Sequence, residues 1–168
     1  MKATATSFTL AFALAVASPA MAQATQSHAH HATAASADVD VPAAAEAAVA
    51  VAERFNSALS SGDLSKVEAL LAADVLILES GGAERSREEY LGHHAVSDAA
   101  FLKGAHRQLL RQRARAAGEF AWVGTESELH TQKDGKPLTV QSTETMVLKQ
   151  TTDGWRIVHI HWSSRTKH

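Results

Sequence analysis

Apolar residues recur at helical spacing in the first part of the chain and alternate in twos in the last part, with the change of period at Gly104. Asp40-Val41-Pro42 reads as a helix start, an Asp cap with Pro in the first turn; Ala48, Val51, Ala52, Phe55 and Leu59 then mark one apolar face up to about Ser61. Gly62 ends that helix, and Asp63 caps a short second one carrying Leu64, Val67, Leu70 and Leu71 to about Ala73. Val75 to Glu79 reads as a strand before the Ser80-Gly81-Gly82 turn. Ser86-Arg87-Glu88-Glu89 is a capping box for a third helix running to about Leu102, with Tyr90, Leu91, His94, Asp98, Phe101 and Leu102 on its inward stripe. Strands are then expected over roughly 105–116, 120–130, 138–150 and 155–163, with turns at Gly118, Asp134-Gly135 and Asp153-Gly154. Helices segregated from an antiparallel meander make an α+β domain.

The closing hairpin carries the most information. A two- or four-residue loop at Asp153-Gly154 pairs even residues of one strand with odd residues of the other. One face then holds Glu144, Met146, Leu148, Ile157, His159, His161 and Ser163, and the other Thr143, Thr145, Val147, Val158, Ile160 and Trp162. The first face, turned toward the helices, sets a carboxylate and two imidazoles among apolar neighbours, where unpaired polar groups are costly. Such groups are paired with one another or bind something. The second face is apolar as well and wants cover. A second copy of the chain supplies it, so a twofold dimer through Val158, Ile160 and Trp162 is expected.

Composition narrows the field. A length of 168 residues allows one ordinary domain, and the absence of cysteine excludes disulfides, thiolate metal sites and thiol nucleophiles. A formal charge of −2 argues against a nucleic-acid partner held by a basic surface. Met1-Lys2, the apolar run Phe8 to Ala17, the Ser18-Pro19 break and Ala20-Met21-Ala22 make a secretory signal over 1–22, cleaved before Gln23. The apolar run is too short to span a bilayer, so no stable membrane insertion is expected, and the mature chain is destined for the periplasm or the exterior. Residues 23–41, rich in Ala, Ser, Thr, Gln and His, read as a linker, 42–165 as the folded domain and 166–168 as a tail. Within the linker His28, His30 and His31 can chelate copper or zinc, or simply belong to a polar tract.

Candidate chemistry gathers on the domain's inner side. Glu79 shares a strand face with Val75 and Ile77, and His94 and Asp98 lie one helical turn apart. If the third helix covers the concave sheet, these groups and Tyr90 converge with Glu144, His159 and His161. His94, Asp98 and His161 are the candidate acid–base groups, and His94, His159 and His161 the candidate ligands for copper or zinc. Glu144–His161 also reads as a cross-strand pair that fixes register, and His94–Asp98 as an ordinary helical pair. Arg107, Arg111, Arg113 and Arg115 share one strand face as a cationic ladder, either a solvated face or a wall that steers carboxylate or phosphate ligands to a pocket mouth.

The helices from Phe55 through Gly62-Asp63-Leu64 to Leu70-Leu71, the capped third helix and the closing strand Gly154-Trp155-Arg156-Ile157-Val158-His159-Ile160-His161-Trp162-Ser163 resemble the nuclear-transport-factor-2-like superfamily in its SnoaL-like branch, over about residues 42–165. The resemblance implies a cone-shaped curved antiparallel sheet wrapped around three helices, with a pocket at the wide end and dimerisation through the sheet. The family spans isomerases, dehydratases, cyclases, kinase association domains and pocket proteins without chemistry, so it speaks for fold more than for function. The isomerases pair a catalytic Asp with oxyanion-hole tyrosine and acid groups, and Tyr90 is the one tyrosine here. Dehydratase and cyclase members use His–Asp pairs, for which His94, Asp98, His159 and His161 are available. Three readings follow: an exported domain binding a small ligand or a transition metal, a lyase, isomerase or hydrolase using pocket His–Asp chemistry, and a ligand-free association module.

Overall fold

The computed structural model describes residues 36–167. Strand β1 (Asp38–Asp40) and a 3-10 turn (Ala43–Ala45) lead into α1 (Glu46–Ser61), followed by α2 (Leu64–Leu70), β2 (Leu71–Glu79), β3 (Gly82–Glu84), α3 (Arg87–Gly92) and α4 (His94–Lys103). Four long strands close the chain: β4 (His106–Ala117), β5 (Phe120–Lys133), β6 (Lys136–Thr151) and β7 (Gly154–Thr166). Local signals are used as the sequence implies. Gly62 ends α1 at φ 78°, a left-handed conformation that glycine adopts without a Cβ clash. Asp63 caps α2 by accepting from the Lys66 amide, and Ser86 caps α3 by accepting from the Glu89 amide. The expected third helix is one helical path broken at His93, where φ −133° and ψ −85° separate α3 from α4.

The seven strands form one sheet in the order β1-β4-β5-β6-β7-β2-β3. It is mixed rather than antiparallel. The meander β4 to β7 is antiparallel as expected, but β2 joins β7 in parallel and β1 joins β4 in parallel. Asp40 is therefore a strand residue and not a helix cap, and the end of the expected 23–41 linker belongs to the sheet.

Two bulges decide which side chains face inward. On β4 the pairing shifts between Leu109 and Arg111, which turns Arg107 to the opposite face from Arg111, Arg113 and Arg115. The four-arginine ladder is thus a three-arginine one, and β1 neutralises it: Asp38 takes Arg113 at 2.6 Å and Arg111 at 3.2 Å, and Asp40 takes Arg115 at 2.8 Å. On β7 the shift falls at Val158. Leu148 pairs with Ile157, but Val147 pairs with His159, and from there even residues oppose even ones. Glu144 consequently stands beside Trp162, and His161 beside Thr145. The expected faces are exchanged from His159 onward, so Ile160 and Trp162 point inward while His159 and His161 point outward. The physical reason is burial: this register puts the isoleucine and the indole in the core and leaves both imidazoles near water.

The core packs α1, through Val51, Ala52, Phe55 and Leu59, against Val123, Met146, Leu148, Ile157 and Ile160 of the sheet, with Val67, Val75, Ile77 and Tyr90 closing its side. Val158, Ile160 and Trp162, expected together on a dimer face, do not share an exposed surface: Val158 is the bulged residue, Ile160 has no exposed surface and Trp162 lies against the core.

The bulge makes opposite demands on adjacent residues. Ile160→Ala is expected to cost about 2–5 kcal/mol in urea unfolding, as for other buried aliphatic truncations. His161→Ala is expected to stay within about 0.5 kcal/mol. The reverse ranking would place His161 inside and remove the bulge.

Candidate functional site

Rows of side chains crossing the inner face of the sheet change character step by step. Ala114, Val123, Met146 and Ile160 form an apolar row beneath α1. The next row is Gln112, Thr125, Glu144 and Trp162, continued by Glu79 on β2. Beyond it come Ser127, Ser142 and Ser164, then Arg107, Leu129, Val140 and Thr166. These polar rows, with Glu53 and Asn56 from α1 and Asp98 and Phe101 from α4, line a cavity of about 630 Å³. That is room for a ring-sized organic molecule.

Four carboxyls line the cavity, Glu53, Glu79, Asp98 and Glu144, and burial shifts the last three. Glu144 accepts from Asn56 Nδ2 at 3.1 Å and from Trp162 Nε1 at 2.8 Å. Burial nevertheless pushes its pKa above the usual carboxylate range, against the pull of both hydrogen bonds. The Trp162 ring is itself fixed, stacked on Phe55 with centroids 6.3 Å apart and tilted against Tyr90 at 6.1 Å. Asp98 Oδ2 accepts from the Tyr90 hydroxyl at 3.0 Å, and its pKa is also raised by burial, opposed by that hydrogen bond and by the charge of His94. Glu79 is raised by burial and then by the negative charge of Asp98. Tyr90, fully buried and bonded to a carboxylate, is held well above the ordinary phenol value.

His94 belongs to a different pair from the one its helical spacing implies. Its Nδ1 contacts Glu84 Oε1, and the hydrogen bond and charge of Glu84 raise its pKa. The His94 side chain is 55% exposed and that of Glu84 only 5%, and neither lines the cavity that Glu79 and Asp98 reach. Tyr90 likewise reaches the site only through Asp98.

Of the residues expected to converge, Glu79, Asp98 and Glu144 line the cavity, whereas His159 and His161 lie on the opposite face of the sheet. His159 Nδ1 donates to the Leu76 carbonyl at 2.8 Å. The expected copper or zinc site at His94, His159 and His161 is therefore not assembled, and no group of three or more His, Asp or Glu is arranged to hold a metal ion among the described residues. His28, His30, His31 and the expected export signal lie outside the described residues. No helix among the described residues is long and apolar enough to cross a membrane.

The sequence places Arg107 in a ladder beside a pocket mouth, and the β4 bulge separates it from the other three arginines and turns it into the cavity. Other cavity residues escaped the sequence reading: Trp162 is turned inward by the β7 bulge. Asn56 and Glu53 flank the apolar stripe of α1 and look like surface residues until the helix is seen at the cavity's edge. Ser127, Ser142 and Ser164 carried a usable signal: each lies beyond the apolar part of its strand on the same inward face.

Comparison with known proteins agrees with the architecture. Residues 48–166 match the SnoaL-like domain family. A solved structure of a proposed ketosteroid isomerase from Shewanella frigidimarina NCIMB 400 is 36% identical, with a TM-score of 0.68 over 76% of this chain and 100% of that one. A proposed calcium/calmodulin-dependent protein kinase II association domain from Xanthomonas campestris shares the fold at 24% identity and a TM-score of 0.62, covering 77% of this chain and 95% of that one. The CaMKII hub of S. rosetta does so at 20% identity and a TM-score of 0.61, covering 75% and 99%. No curated protein matches the chain.

The raised carboxyls give a stability signature. A carboxyl whose folded pKa exceeds its unfolded value costs nothing while protonated in both states, and erodes stability as pH rises through the folded value. The His94–Glu84 pair acts in the same direction, because its contribution is lost once His94 deprotonates. The lowered carboxyls Asp38, Asp40, Asp63 and Glu128 act the other way but are ionised in both states above about pH 6, so unfolding free energy is expected to fall as pH rises from about 6 to 9. Glu79→Gln should match the parent near pH 4 and be the more stable of the two at pH 8, in urea titrations at both values. A parent curve that rises across this window would refute the burial account.

Proposed function

This chain belongs to the SnoaL-like domain family, and we propose that it binds a small organic molecule in the cavity between α1, α4 and the inner face of the sheet. The observation that carries this reading is the switch of the sheet's inner rows from apolar to polar where the helices stop covering them. A wall of Thr125, Ser127, Ser142 and Glu144 left open costs desolvation unless water or a ligand satisfies it. The carboxyls Glu79, Asp98 and Glu144, raised by burial, are groups able to give or take a proton inside it. Acid–base catalysis of the lyase, isomerase or hydrolase kind is the second reading, favoured by the Tyr90–Asp98 pair and by the isomerase name of the Shewanella relative. On the reading of residues 1–22 as an export signal, the site works in the periplasm or outside the cell.

Self-association belongs to the same proposal, with a different surface from the one first expected. The outer face of the sheet presents Leu76, Phe120 and Trp122, which are 39%, 44% and 42% exposed, next to Leu78, Val147, His159 and His161. A second copy covering this face buries those side chains and leaves both cavities open. The likeness to hub and association domains supports oligomerisation of this fold.

Native mass spectrometry of the mature protein separates these ideas. The expected result is a dimer that carries retained small-molecule mass, with Ser142→Trp losing that mass while remaining dimeric. Val147→Glu should give monomers that keep the ligand. A Ser142→Trp variant that retains the same mass would place the ligand elsewhere. Sedimentation of the parent as a monomer at micromolar concentration would remove the interface.

A further inference from the structure

Arg107 brings an incompletely bonded guanidinium to the cavity wall, and we propose that the cavity's ligand is an organic acid whose oxyanion is held by Arg107. This rests on the cavity reading above and names the ligand class it did not. The bulge between Leu109 and Arg111 is what brings Arg107 inside, where it lines the cavity while its three sequence neighbours pair with β1 and β5 on the other face. Arg107 Nη1 donates to Glu53 Oε2 at 3.2 Å, whereas Nη2 is buried and has no hydrogen-bond partner. One arm of a planar fork is thus engaged and the other is not. A guanidinium donor left without an acceptor is unfavourable, and a carboxylate matches the fork geometry in a way that water does not.

Glu53 does not supply the second acceptor, because its Oε1 already takes Gln112 Nε2 at 2.8 Å. The Arg107 side chain is 30% exposed and that of Glu53 41%, so a partly exposed pair does not lock the guanidinium in place. The surroundings favour the same occupant. Ser127, Ser142 and Ser164 place three hydroxyls side by side one row deeper. Arg165 stands at the rim with its Nε on Gln141 and no ion pair among the described residues. Glu79, Asp98 and Glu144, whose charge burial disfavours, are available to present protons to a carbonyl or hydroxyl of the same ligand. An organic acid therefore enters with its oxyanion toward Arg107.

The test uses two fluorescent probes that differ by one charged group: 1-anilinonaphthalene-8-sulfonate, and N-phenyl-1-naphthylamine, the same ring system without the sulfonate. With the mature protein, the sulfonate is expected to bind roughly tenfold more tightly, as one charge-assisted fork contact warrants. Arg107→Gln should abolish that preference and leave the affinity for the neutral probe unchanged, and Arg107→Lys should keep part of it. Ser142→Trp should exclude both probes. Circular dichroism and thermal melts establish that each variant is folded. Equal affinity of the two probes, or a preference that survives Arg107→Gln, overturns the oxyanion subsite while the cavity stands. Loss of neither probe in Ser142→Trp, or binding of neither to the parent, overturns the cavity reading and this inference with it.

Discussion

β7 carries one residue more than the pairing beside it can use, and the place where that residue is absorbed governs the interior. Because the extra residue is Val158, the even positions beyond it turn toward the helices, and Ile160 and Trp162 join the core. Trp162 then does two things that no other residue at that position would combine. Its ring fills the space between Phe55 and Tyr90, and its indole N–H satisfies Glu144, the most deeply buried carboxyl of the cavity. Absorbing the residue elsewhere would bury two imidazoles and expose an indole and an isoleucine. The bulge costs one irregular pair of the ladder, which is small against that exchange.

The cavity shows the opposite economy. Rows of Thr, Ser, Glu and Gln occupy inward positions that apolar residues would fill at lower free energy, and three carboxyls are kept where burial disfavours their charge. A domain that only had to fold would not place them there, and local violations of otherwise consistent patterning concentrate where a protein binds or reacts. The β4 bulge turns the Arg107 guanidinium inward and the β7 bulge turns Trp162 inward, so two irregularities in two strands decide what lines one cavity.

The outer face follows from the same alternation. Arg111, Arg113 and Arg115 look like an anion-binding surface until β1 is placed beside them, where Asp38 and Asp40 turn the ladder into a set of exposed ion pairs. Such pairs register the short strand rather than supply much stability. What remains of that face is apolar, with Leu76, Phe120 and Trp122 partly exposed on it.

Much of this protein was legible in its residues. Helical spacing, the Gly62-Asp63 junction, the Ser86 cap and the change of period at Gly104 defined the α+β order and the meander, because each is a local signal that local sterics and hydrogen bonding enforce. Glu79, Asp98 and Glu144 were identifiable as polar residues on inward stripes. The partners of those groups were not. Whether His94 meets Asp98 or Glu84 depends on where β3 passes, and whether His161 or Trp162 faces Glu144 depends on a single inserted residue in a strand. Strand alternation transmits such an insertion to every later side chain, and the choice of its position is made by the total burial of the assembled core. Sequence by itself therefore determined the elements and the kinds of chemistry present, while tertiary packing alone decided which of those side chains share a space.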